Sequence, residues 1–159
     1  MRLIANLLDH KACSLRYFEP MGNRRKAREL AIQILFNMEF NPGDPDEICD
    51  LVYENFSPSR SIRVFSRKLV CGVRENIKYL DSIIRSSSKN WRLERMSVVD
   101  RNILRLASYE ILFMEDIPHK VSIDEAVELG KKFGTEESGA FINGVLDNIL
   151  KNITFNKSS

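Results

Sequence analysis

The stretch Arg24-Arg25-Lys26-Ala27-Arg28-Glu29-Leu30-Ala31-Ile32-Gln33-Ile34-Leu35-Phe36 sets four basic residues in five positions and then continues as an amphipathic helix. Apolar side chains at Ala27, Leu30, Ala31, Ile34, Leu35 and Met38 recur at the i, i+3, i+4, i+7 spacing of one buried stripe. The charge at the start of this helix has an unfavourable sign. A helix N-terminus carries partial positive charge, so each cation there costs roughly 0.3–1 kcal/mol when little screened. Arg24, Arg25, Lys26 and Arg28 make sense if an external anion relieves that penalty, and the phosphate of RNA or DNA is the obvious candidate.

Working outward, Asn41-Pro42-Gly43-Asp44-Pro45 is dense in turn residues and stops the helix near Phe40. Asp46 is expected to cap a short second helix with Ile48, Leu51, Val52 and Phe56 on one face, ended by Ser57-Pro58. Residues 61–85 carry Ile62, Phe65, Leu69, Val73, Ile77, Leu80 and Ile84 on one stripe. They predict a single helix of about 36 Å at ~1.5 Å per residue, with Gly72 its weak position. Ser86-Ser87-Ser88-Lys89-Asn90 reads as a connector, followed by Trp91 and Leu93. Residues 98–115 are apolar on more than one face, the mark of a surrounded central helix.

Pro118 ends that region, and Ser122-Ile123-Asp124-Glu125 matches a capping box opening the next helix, with Ala126, Val127, Gly130 and Phe133 inward. Gly134 suits the residue after its end, and Thr135 suits a cap for the last helix. That helix carries Phe141, Ile142, Val145, Leu146, Ile149 and Leu150 on its stripe. No sustained period-two alternation occurs, so the expected class is all-α: two packed three-helix bundles on either side of the serine-rich connector. Residues 1–20 show no period and read as a loosely ordered extension or a start-site artefact before Met21. Residues 21–159 read as one domain with halves at about 21–85 and 91–152.

The chain has 159 residues, 43% hydrophobic and 29% charged, long enough for one sizeable core. Net charge is only +2, so a nucleic-acid case must rest on where the basic residues sit. Cys13, Cys49 and Cys71 are odd in number and widely spaced, which suggests neither a disulfide framework nor zinc and points to a reducing cytoplasm. No apolar run approaches the ~20 residues of a membrane helix.

Nothing in the chain assembles into a catalytic constellation. His10 and His119 are the only histidines, and neither has a metal-ligand partner at helical spacing. Neither phosphate-cradling glycine motif occurs. The pairs Asp124-Glu125 and Glu136-Glu137 read as solvated anions favouring helix starts. No cofactor and no metal is expected. Arg24 and Arg28 lie one turn apart, their planar guanidinium groups suited to phosphate and to stacking on bases, and Arg63, Arg67 and Arg74 extend the basic surface.

Several ordered motifs carry a family resemblance. Arg24 to Glu29 with Ala31-Ile32-Gln33, the run from Arg101 through Arg105 to Tyr109-Glu110, and Ile117-Pro118 to Ala126 resemble the bacterial NusB transcription antitermination factors. So does Phe133-Gly134 through Phe141-Ile142-Asn143-Gly144-Val145-Leu146-Asp147. The resemblance covers roughly residues 22–152. It implies an all-helical, non-enzymatic protein that binds boxA-type RNA with NusE, a small-subunit ribosomal protein, as part of the RNA polymerase antitermination complex on ribosomal RNA operons. By motif, Arg24, Arg25 and Arg28 within the basic tract that includes Lys26, together with Glu137 and Phe141, would face RNA. Phe141 fits the core stripe equally well. Tyr109 and Glu110 would help form the NusE-facing surface.

Two rivals stand beside this reading: the N-terminal module of RNA cytosine methyltransferases, which would need a following cofactor-binding domain, and a helical adaptor that binds only protein. Self-association as a homodimer covering the RNA face is also left open.

Overall fold

The stripe of the first helix is buried throughout: Ala27, Leu30, Ala31, Ile34, Leu35 and Met38 all lie in the core, joined by Ile32. The protein is described by a computed structural model over residues 21–157; the expected extension at 1–20 lies outside these residues. Helix α1 (Met21–Phe40) ends where expected. Helix α2 (Pro45–Phe56) starts two residues earlier than the sequence suggests, because Asp44 rather than Asp46 is its cap. The Asp44 carboxylate accepts the backbone N–H groups of Asp46 and Glu47 at 2.9 and 3.2 Å, and Pro45 occupies the first helical position, where a missing N–H is harmless.

The inner face of α2 also differs from expectation. Cys49 and Tyr53 are buried and Ile48 and Val52 partly so, whereas Leu51 and Phe56 are exposed. The Tyr53 hydroxyl sets this rotation, with Ser66 Oγ 2.7 Å away and the Arg63 carbonyl within 3.1 Å. Ser57, with φ 44°, closes the helix in the left-handed region, its N–H donating to the Tyr53 carbonyl.

The single long helix expected over 61–85 is two: α3 (Arg60–Glu75) and α4 (Ile77–Ser87). The break is at Asn76, whose φ of −108° and ψ of 12° leave the helical range. Its side-chain amide donates to the Gly72 carbonyl at 2.8 Å, sharing that acceptor with the Asn76 backbone N–H at 3.2 Å. The break frees α4 to pack on the second half of the chain, against α5 (Val98–Phe113) and α7 (Ser138–Lys157). Helix α4 thus joins helices that precede the serine-rich connector to those that follow it.

After a 3-10 turn at Leu93–Arg95, α5 runs through the middle. Ile103, Leu104, Leu106, Ala107 and Ile111 are buried on several of its faces, and it touches α1, α3, α4, α6 (His119–Phe133) and α7. Helix α6 begins at His119, so Ser122 is not its cap. The Ser122 N–H already bonds the Pro118 carbonyl, which leaves its hydroxyl for the interior.

Between α6 and α7 the expected cap is likewise reversed. Ser138 Oγ accepts the Thr135 N–H at 2.9 Å. Gly134 is extended (φ −94°) rather than left-handed, and is required by space: a Cβ there would lie 2.3 Å from Ser138 Oγ. Among the described residues there are seven α-helices and no strand, one continuous core, and no helix long and apolar enough to cross a membrane.

Candidate nucleic-acid interface

The first turns of α1 send their cations to opposite sides. Arg28 points inward and is 3% exposed. Its guanidinium grips the equally buried Glu110 of α5 in two parallel bonds, Nε–Oε1 at 2.6 Å and Nη2–Oε2 at 3.1 Å. Glu110 also accepts the Ser122 hydroxyl at 2.8 Å, and Glu125 lies 3.7 Å from Arg28 Nη1. The Phe65 ring of α3 sits 5.5 Å from the same guanidinium. Four helices thus meet at one side chain. The expectation that Arg28 faces RNA and that Glu110 faces NusE is corrected: each satisfies the other in the interior, where an unpaired charge would be strongly unfavourable.

Arg24, Arg25 and Lys26 remain at the surface. Arg25 is bidentate to Glu125, at 2.6 and 3.1 Å, which holds its guanidinium pKa above the ordinary value. Arg24 bonds Asp116 at 3.2 Å and lies 5.2 Å from the Phe65 ring, so that ring is flanked by Arg24 outside and Arg28 inside. Lys26 is exposed. Alongside, Glu29 pairs with Lys132 of α6 at 2.8 Å, and Lys131 pairs with Glu128, holding that carboxyl below its usual range. Of the expected solvated pair Asp124-Glu125, Asp124 is exposed, whereas the Glu125 side chain is only 16% exposed and bridges Arg25 to Arg28.

The remaining expected residues fall on two other parts of the surface. Glu137 is exposed in the turn before α7, its carbonyl accepting the Phe141 N–H at 3.1 Å. Phe141 is half-buried, and its ring meets Trp91 edge-to-face at 5.7 Å. Tyr109 stacks on Phe113 at 5.3 Å, and Phe113 meets Tyr79 at 6.3 Å; the last two are about half exposed. Tyr109 lies directly on Gly72, where a Cβ would come within 2.1 Å of the ring. Burial, followed by the charge of Glu75, pushes the Tyr109 hydroxyl pKa up.

Arg63 and Arg67 are occupied locally, Arg63 by the Pro58 carbonyl and Arg67 by Asp46 and Asp50, so neither extends an open basic field. Among the described residues no group of side chains is arranged to hold a metal.

Sequence reasoning missed Phe65, Asp116, Glu125 and Trp91 as parts of these surfaces. Arg28 carried a signal, since it stands three, four and seven positions before Ala31, Ile32 and Leu35 and so lies on the buried stripe. Nothing local marks Glu110 as its partner.

Comparison with known proteins agrees with this architecture. The NusB family model matches residues 25–151. The transcription antitermination protein NusB of Desulforapulum autotrophicum is 53% identical over 137 residues, covering 84% of this chain and 96% of the relative. That of Desulfatibacillum aliphaticivorans is 50% identical over 129 residues, covering 81% and 90%. Among solved structures, T. maritima NusB superposes with a TM-score of 0.72 at 41% identity, over 80% of this chain and 90% of that one. A structure of antitermination factors NusB and NusE in complex with dsRNA superposes with a TM-score of 0.76 at 30% identity, over 84% and 99%.

Proposed function

Because the chain belongs to the NusB family, we propose that it is a non-enzymatic transcription antitermination factor that binds boxA-type single-stranded RNA together with NusE and keeps polymerase transcribing ribosomal RNA operons, in the cytoplasm where transcripts are made. The observation that carries the RNA-binding part is the split of the basic tract. Arg28 locks α1 onto α3, α5 and α6, and that anchored helix presents Arg24, Arg25 and Lys26 outward. Cations on a rigid helix lose less freedom on binding than those on a flexible tail. Glu137 and Phe141 supply a second RNA-facing patch, apart from the arginine tract, and Tyr109 with Phe113 and Tyr79 supplies the face for NusE.

The test is an RNA titration at several salt concentrations. The protein binds a boxA-type single strand weakly alone and more tightly with NusE, with a log–log salt slope of roughly −2 if about three phosphates are neutralised. Replacing Arg24, Arg25 and Lys26 by Ala flattens the slope and leaves the helical circular dichroism intact. Unchanged affinity and slope in that variant would show the tract to be a solvated face.

A further inference from the structure

The chain's single tryptophan stands in an unusual position. Trp91 is 58% exposed, although an indole is among the side chains that gain most from burial. It is not loosely held. The Trp91 N–H donates to the Ser88 carbonyl at 3.1 Å, and Ser88 Oγ lies within hydrogen-bond distance of the Trp91 carbonyl at 3.1 Å and the Ile84 carbonyl at 2.7 Å. Two residues on, Leu93 is buried and anchors the 3-10 turn. The backbone is therefore pinned on both sides of an aromatic ring left open to solvent.

Its neighbours have the character of a nucleic-acid contact. The ring of Phe141 meets the indole at 5.7 Å and 66°, so the two rings form a continuous aromatic corner between the connector and α7. Along the chain on either side of Trp91, residues 85–95 carry Arg85, Lys89, Arg92 and Arg95, all exposed, against the one carboxylate of Glu94, which is paired with Arg85 at 2.9 Å. An exposed aromatic face in a turn rich in exposed cations suits one kind of occupant. An unpaired base stacks on the indole while the backbone phosphates on either side meet the cations. A protein partner built on apolar burial would leave Lys89, Arg92 and Arg95 without counter-charges.

We infer that Trp91 is a base-stacking residue, extending the RNA path from Phe141 onto the turn that follows α4. This rests on the reading of the chain as an RNA binder and names a contact outside the arginine tract. Phe141 then serves twice, its inner edge packing on the core while its outer edge orients the indole.

The single tryptophan makes the test direct. The full chain is titrated with a short boxA-type single-stranded RNA, following anisotropy of the labelled strand and, with unlabelled strand, the indole emission. Emission falls along the same curve as the anisotropy. Trp91→Ala and Trp91→Leu each weaken binding about ten-fold, and Trp91→Phe keeps most of it. Trp91→Leu preserves an apolar cover over Phe141 without an aromatic face, and circular dichroism with thermal melting verifies that each variant folds. Indole emission unchanged at saturating RNA, or a Trp91→Leu protein binding as tightly as the parent, overturns the assignment while leaving RNA binding standing. RNA that raises no anisotropy at all overturns both.

Discussion

Arg28 and Glu110, 82 positions apart in sequence, form a bidentate ion pair in the interior where α1, α3, α5 and α6 converge. Removing one member strands the other's charge away from water, so Arg28→Ala or Glu110→Ala should destabilise the fold by about 3–5 kcal/mol. Alanine at Arg24, Arg25 or Lys26 should change stability by less than about 1 kcal/mol, because Arg25 and Lys26 are exposed and Arg24, though partly buried, is held by a surface ion pair. Denaturant unfolding of the five variants separates the arginine that builds the site from those that use it. Equal losses at Arg25 and Arg28 would contradict the division.

Gly72 and Tyr109 make a second testable contact. A methyl group at Gly72 would occupy the space of the Tyr109 ring, 2.1 Å from Cζ. Gly72→Ala should therefore destabilise by about 1–3 kcal/mol through overpacking, despite alanine's better helix propensity. The loss should shrink when Tyr109 is also replaced by Ala, since the second change removes the clash. A double-mutant cycle showing simple additivity would mean that the ring is not what Gly72 accommodates.

Tyr53 governs the alkaline limit. Burial, only partly opposed by its hydrogen bond to Ser66, pushes its hydroxyl from the ordinary 10 up to about 12. The folded state thus favours the neutral phenol. This contribution is full below pH about 10 and is lost as pH rises towards 12, at most about 2–3 kcal/mol in all. Urea midpoints measured across that window should fall in the parent protein and fall less steeply in Tyr53→Phe. Parallel curves would remove Tyr53 as the cause.

The legible part of this fold is its helical periodicity. The stripe of α1, the surrounded character of α5 and the inner faces of α6 and α7 follow from apolar spacing alone, because burying those side chains depends on period and not on partners. Element ends are less legible wherever a side chain has a competing bond. Asn76 reaches back to Gly72 and splits one expected helix into two, and Ser122 turns to Glu110 rather than capping α6. Both residue types are good at caps and turns, and only the neighbours decide which bond forms.

For the site, the basic tract at 24–28 and its fusion to a core helix were determined by sequence alone, as were the family motifs. Which arginine faces outward was decided by tertiary structure. Arg24, Arg25 and Arg28 are chemically alike, and a string of residues assigns them no direction until α5 brings Glu110, and α6 brings Ser122 and Glu125, against one side of α1. The same holds for Trp91. Its exposure follows from a turn pinned by Ser88 and from the approach of Phe141, 50 residues later in the chain. Periodicity is a local property carried by each segment, whereas charge pairing and exposure belong to the packed whole, since they depend on which distant groups compete for the same space.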